Sequence, residues 1–281
     1  SRRQRQMCIR DSYNCAVICA MVKFNQFTMN EQERMLKDLL TGQKFEESDQ
    51  LFQKLEESKE MARAYAVASN GIAVLSDFYE NVSYIYSGLL GRTLGLDDFS
   101  KDATSSFEQD IFDKIPSEEL LERHILELRF YRFLEANGIK DKSDYKMVSL
   151  IHFNQDNGFL MPVLHCTRYV RILPGGSVWL GLCTYVPFTD IPQGFEGCII
   201  NQRTGETIRS QQCEQYDIQL LSVRQLEVLT LLAKGEGSKQ IAEKLCISVN
   251  TVSRHRQDIL IRLNVTNTAA AVKIGLRMHL I

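Results

Sequence analysis

Near the end of the chain, Asn250, Ser253, Arg254 and Gln257 stand at spacings that could read an edge of hydrogen-bonding groups. At about 100° per residue, Val252, Ile259 and Leu263 fall on one side of a helix running from Val249 to about Leu263. Asn250, Arg254 and Gln257 fall on the opposite side, with Ser253 beside them. That outward stripe is polar and carries one guanidinium. Arg bonds a guanine edge through two donors, and Asn or Gln does the same with adenine. Such a helix therefore suits the major groove of double-stranded DNA.

The neighbouring residues supply the elements that would hold this helix. Ser222 can cap a helix, with Gln225 closing a capping box. Val223, Leu226, Leu229 and Ala233 are expected on its inner face, and Gly235 ends it. Ser238 starts a second, short helix with Ile241, Ala242 and Leu245 inward. Small Ala242 would let two helices cross closely. Cys246-Ile247 makes a tight connection, and Ser248 caps the third helix. Thr266 is expected to cap a fourth, from Asn267 to about Leu280. Two helices joined by a turn of a few residues define a helix-turn-helix.

Residues 220–276 resemble the LuxR-type (GerE-like) helix-turn-helix family. The resemblance rests on Leu221-Ser222, Arg224, Glu227-Val228-Leu229, Gly235, Ser238-Lys239, Ile241-Ala242, Ile247-Ser248, Thr251-Val252, His255, Ile259, Leu263 and Val265. It implies base readers at Ser253, Arg254 and Gln257 and backbone contacts at Lys239 and Thr251. Arg256 and Arg262 flank the helix, where phosphate contact is expected. The family's fourth helix often forms a homodimer contact. Here that implies Ala269, Ala270, Val272 and Ile274, with two recognition helices about one DNA turn apart. Many members have Lys where this chain has Ser253, so base preference does not carry over. His255 and Glu227 are expected to be structural, Glu227 as a salt-bridge partner.

Charge is distributed to match. Residues 215–281 hold nine Lys and Arg against five Asp and Glu, whereas residues 13–214 hold 20 against 29. An acidic body joined to a basic module fits a regulated binder of polyanions. The whole chain of 281 residues has 44% hydrophobic and 24% charged residues, the composition of a globular protein. Residues 1–12 (SRRQRQMCIRDS) read, after the Ser, as one frame of a transposase sequencing adapter and are set aside. Met21 and Met29 are both expected start candidates. Eight Cys are scattered without a C-x-x-C pair, as in cytoplasmic proteins with idle thiols. Cys166 and Cys183 fall in expected strands, as core residues.

Residues 30–69 read as a short helix and a long one, with Leu51, Phe52, Leu55, Met61 and Tyr65 as the long helix's apolar positions. Ile72–Leu75 and Val82–Tyr86 read as strands, Ser87–Leu96 as a helical turn, and Ser117 as the cap of a helix holding Leu120 to Leu134. Tyr145–Asn154, Phe159–Leu173 and Ser177–Pro187 form a meander with turn residues at both junctions, followed by a hairpin around Arg203-Thr204-Gly205-Glu206. The order of two strands, helices and three strands resembles a PAS domain, with local echoes at Glu80–Gly91 and at Trp179.

The expected organisation is therefore a helical extension (13–70), an α+β PAS-like sensor (71–209), a linker (210–219) and an all-α four-helix module (220–281). This describes a cytoplasmic, bacterial, sequence-specific transcriptional regulator rather than an enzyme or membrane protein. RNA polymerase is an expected partner if it activates. No cofactor or metal is expected, and a ligand of the sensor is left open. An N-terminal protein-interaction adaptor is the alternative. A phosphorylated receiver is disfavoured, because Asp97-Asp98 follows no strand and no βα repeat surrounds it. An acyl-homoserine-lactone sensor is disfavoured by the single Trp179. No G-x-S-x-G, Walker loop or H-E-x-x-H occurs.

Overall fold

The computed structural model describes residues 31–46, 50–155, 158–188, 195, 197–209, 212, 221–263, 265–278 and 280–281. The expected adapter stretch, both start candidates and nearly all of the expected linker lie outside them.

The N-terminal part is α+β. Helices α1 (Glu31–Thr41) and α2 (Leu51–Ala68) precede strands β1 (Ile72–Asp77) and β2 (Val82–Ser87). Then come α3 (Leu89–Thr93), β3 (Phe99–Asp102), α4 (Gln109–Phe112) and α5 (Ser117–Ala136). Strands β4 (Tyr145–Asn154), β5 (Leu160–Ile172) and β6 (Val178–Pro187) make the meander, followed by β7 (Cys198–Asn201) and β8 (Thr207–Arg209). All pair antiparallel in the order β3-β2-β1-β6-β5-β4-β7-β8. The strand pair β1-β6 joins the first hairpin to the meander, with Ile72 opposite Tyr185 and Asp77 opposite Leu180.

Successive strand residues point to opposite faces, and both faces of β1 are covered. Ile72 and Val74 face a core shared with Leu36 and Leu40 of α1 and with Phe130 and Leu134 of α5. Ala73 and Leu75 face the other way, towards Ala62 and Ala66 of α2. This explains why β1 and β2 are buried along their whole length.

Two local expectations are corrected. The long helix α2 packs only in part through its large residues: Leu51 and Leu55 are half-buried against the sheet, but Phe52 is 78% exposed and Met61 44%, while Ser58, Ala62 and Ala66 are buried. The sheet beneath already presents Tyr84, Tyr86 and Leu182, so beyond Leu55 the facing helix stripe is filled by small side chains. Ser117 is the first residue of α5, preceded by Pro116, and makes no side-chain cap. The short strand β3 and helix α4 lack a periodic pattern long enough to read.

α5 is buried on nearly every side, and it carries polar groups inward. His124 is fully buried, its ring centroid 5.0 Å from that of Phe112 in an edge-on arrangement. Burial, and then the Arg123 charge, hold its imidazole well below the ordinary value of 6.5. The folded protein thus binds this proton less readily than the unfolded chain. The stability His124 contributes is complete above about pH 6.5 and is lost as pH falls below it. Thermal melting between pH 7.5 and 5 should show this loss, and His124→Leu should flatten that part of the profile.

The C-terminal part is all-α, with α6 (Val223–Ala233), α7 (Ser238–Leu245), α8 (Val249–Arg262) and α9 (Thr268–Arg277). Its core includes Val228, Leu229, Ile241, Val252, Ile259, Leu263 and Ile274. Leu121 and Ile125 of α5 belong to the same apolar cluster, so the module is seated on the N-terminal body. Lys273 Nζ pairs with Glu118 Oε2 at 2.9 Å along the same seam. Among the described residues, no helix is long and apolar enough to cross a membrane.

Candidate nucleic-acid interface

The interface begins with the caps. Ser222 Oγ accepts from Gln225 N, and Gln225 Oε1 accepts from Ser222 N at 2.8 Å, the expected capping box. Gly235 adopts φ 80°, a left-handed conformation that glycine takes without strain, and ends α6. Cys246 takes the same role after α7 at φ 54°. Ser248 Oγ then accepts from Thr251 N at 3.0 Å and starts α8. Arg224 fixes the turn from outside: one guanidinium nitrogen donates to the Leu245 carbonyl and the other pairs with Glu227 at 2.7 Å. Glu227 is thus a salt-bridge partner, as expected. The bracing role of Arg224 was legible only as a family position.

On α8 the two stripes separate as the helical period requires. Val252 and Leu263 are fully buried and Ile259 is 1% exposed. Asn250, Thr251, Ser253, Arg254 and Gln257 are all exposed. Lys239, exposed at the start of α7, lines a shallow groove with Ala242, Cys246, Ser248 and Val249. Asn250, Arg254 and Gln257 thus share one exposed side of α8 with Ser253 beside them, while Lys239 borders the groove at the start of that helix. The positive end of the α8 dipole lies at the same edge, where it favours an anion.

Other expected residues are placed differently. Arg256 is half-buried and spends both terminal nitrogens inside the module, on Ser238 Oγ (2.8 Å) and Thr268 Oγ1 (3.0 Å). It ties the start of α7 to the start of α9 instead of projecting to solvent. Arg262 is half-buried at the end of α8, with its carbonyl accepting from Gln32. The four expected dimer residues do not share one surface. Ile274 is fully buried and Ala270 8% exposed, whereas Val272 is half-buried and Ala269 exposed. α9 has one strongly apolar stripe, and the module uses it for its own core and for α5. Val223 and Ala233, both expected inward, are exposed, Val223 to 64%; the buried positions of α6 are Gln225, Val228 and Leu229. Asn267, not Thr266, caps α9, its Oδ1 accepting from Ala270 N at 2.9 Å. His255 is half-buried on the flank.

With this geometry in place, the comparisons are specific for the C-terminal part. Residues 219–274 match the model for bacterial regulatory proteins of the luxR family. The C-terminal module is a LuxR-family helix-turn-helix domain. The Staphylococcus carnosus oxygen regulatory protein NreC is 36% identical over 83 residues, which span 30% of this chain and 38% of that protein. NreC of Staphylococcus epidermidis is 45% identical over 62 residues, 22% of this chain and 28% of that protein. This chain thus spans well under half the length of these curated relatives. Among solved structures, Vibrio cholerae VqmA is similar at 15% identity and a TM-score of 0.28, covering 80% of this chain and 88% of that one. Escherichia coli SdiA is similar at 15% identity and a TM-score of 0.24, covering 89% and 97%. The family match runs from before α6 into α9 and so includes the capped, solvent-facing α8.

Proposed function

We propose that the chain is a sequence-specific transcriptional regulator that lays α8 in the major groove of double-stranded DNA. The carrying observation is the exposed stripe Asn250-Ser253-Arg254-Gln257, set opposite a fully buried stripe on the same helix. In this reading Arg254 and Gln257 bond base edges, with Asn250 and Ser253 beside them. Lys239 and Thr251 hold phosphates. Arg256 acts indirectly, by holding α7 and α9 in register, and Arg262 stays at the flank of the contact.

The N-terminal body is a PAS-like sensor in this proposal. Two strands, intervening helices and a three-stranded meander fold into one sheet with β1 and β6 adjacent, which supports that reading. Its seam with α9 gives a physical route from sensor to DNA reader. The active species is a homodimer. Its contact on α9 runs along Ala269, Val272 and Leu276, which recur at helical spacing outside the buried stripe; Leu276 is 54% exposed. RNA polymerase is the further partner at promoters it activates.

The phosphate role of Lys239 has its own test. Lys239→Ala should weaken binding to every duplex alike and lower the slope of log affinity against log salt by about one. A change confined to one sequence would assign Lys239 to base reading instead.

A further inference from the structure

The polar groups on the inner side of α5 leave no room for a ligand. Arg123 Nη2 donates to Glu108 Oε1 at 2.8 Å, and Nη1 lies 3.3 Å from Glu127 Oε2. His165, Thr167, Cys183 and Tyr185 close around these three. This interior cluster keeps a hole of about 20 Å³, the room of a single water. A larger space opens farther round the same helix, at the seam with the DNA-binding module.

That space is a cavity of about 410 Å³ between α5, β4 and α9, a size that suits a small ligand. Its α5 wall is Glu119, Glu122, Leu126 and Arg129, which recur at helical spacing. Its β4 wall runs from Ser149 to His152. Leu276 on α9 and Met278 just after it close the third side. An occupant would therefore touch both the N-terminal body and the DNA-binding module.

Opposite charges stand at the two ends. Glu119 Oε2 accepts from His152 N at 2.7 Å, and Glu119 Oε1 lies 3.0 Å from His152 Nδ1, which fixes the acidic end against β4. Glu122 stands one turn farther on, beside this end. Arg129 follows Glu122 by a rise of about 10 Å along the helix. It is 2% exposed and supplies a guanidinium at the closed end. Helical side chains lean towards the N-terminus, so Arg129 reaches back along the wall. Glu122 and Arg129 are also engaged within the fold. A carboxylate with several lone pairs and a guanidinium with five donors keep capacity for a ligand. Arg123 borders the cavity too, but its charge is turned to Glu108 and Glu127.

A strand edge runs between the two ends. Among the described residues, β7 pairs with β4 from Tyr145 to Val148 and no farther. Beyond that point His152 N donates to Glu119 and Asn154 N to the Lys114 carbonyl, not to β5. Alternate residues of a strand direct their N–H and C=O to the same edge, so Leu150 turns its own towards the cavity it lines. Leu126 and the Val148 carbonyl both border Gly197, whereas Glu119 borders His152. β4 and α5 therefore run in opposite directions along the cavity.

We propose that this cavity binds a short peptide with free termini, about three residues long, which when extended spans about 10 Å. Its ammonium lies at Glu122, its carboxylate at Arg129 and its backbone on Leu150. The direction set by the charges is antiparallel to β4, so the peptide adds as a further strand on that edge. Leu126, Leu276 and Met278 offer its side chains an apolar wall. Through α9 the bound peptide shifts the affinity of the module for DNA, and that consequence alone rests on the DNA-reading proposal.

The test is calorimetric titration of the full chain, without DNA, with trialanine, N-acetyl-trialanine and trialanine amide. The expected result is one equivalent of trialanine per chain. Each blocked form should bind about 10- to 100-fold more weakly, having lost one charged hydrogen-bonding end. Glu122→Gln should weaken trialanine by a similar factor and leave the acetylated peptide unchanged. Arg129→Lys should weaken trialanine and leave the amide unchanged, since lysine lacks the forked donors. The blocked peptides keep the test decisive on the wild-type chain if either variant does not fold. No binding of trialanine at millimolar concentration, or equal binding of all three peptides, would overturn the site. Fragment selection without peptide tests the DNA reading by itself, so the two failures are distinguishable.

Discussion

Arg254→Ala should lower affinity for a preferred duplex by about 1–3 kcal/mol, roughly 5- to 150-fold, and relax base preference at one position. The size follows from the geometry of the donor. Arg254 stands on the exposed stripe of α8 with the fully buried Val252 two residues before it. Truncation therefore removes the proposed readout group without opening the core. Non-specific binding should fall much less, because Lys239 and the helix dipole remain. Competition assays against single-base operator variants check this. A uniform loss across all variants would make Arg254 a phosphate contact.

Ile274→Ala should cost about 2–5 kcal/mol of stability in the C-terminal module, the range for truncating a fully buried aliphatic side chain. Ile274 has no exposed surface and shares a cluster with Leu229 of α6 and with Leu121 and Ile125 of α5. The cavity therefore opens where the module meets the N-terminal body, and both should respond in denaturant unfolding. Leu276→Ala, half-exposed on the other side of α9, should leave stability almost unchanged and weaken self-association. The pair separates the core role from the dimer role that the sequence assigns to one stretch. A stable Ile274→Ala chain that fails only to dimerise would reverse the assignment.

The contrast between these residues shows what the sequence carries. α8 could be read almost completely, since one periodicity sorts Val252, Ile259 and Leu263 from Asn250, Arg254 and Gln257, and Ser248 announces its start. The meander was equally legible, because alternation and turn chemistry are local signals. α9 was misread in part: Ala269, Ala270, Val272 and Ile274 are similar in type, and only packing decides which are buried. The same holds for α2, whose small residues take the inner face because the sheet beneath is large. Arg256 looked like a phosphate contact, since its partners Ser238 and Thr268 lie 18 and 12 residues away. The interior cluster was missed for a similar reason. Its one local trace is Arg123 and Glu127, four apart in a helix otherwise rich in apolar residues. His165 and Cys183 join them only when β5 and β6 pair beneath α5.

The central claim is sequence-selective DNA reading by α8, and selection of genomic fragments by the purified chain over a salt series tests it most directly. The expected result is a defined preferred sequence, held at least about 10³-fold more tightly than bulk DNA, with log affinity falling linearly as log salt rises. Equal binding to all fragments at every salt concentration, or binding that does not respond to salt, would contradict it.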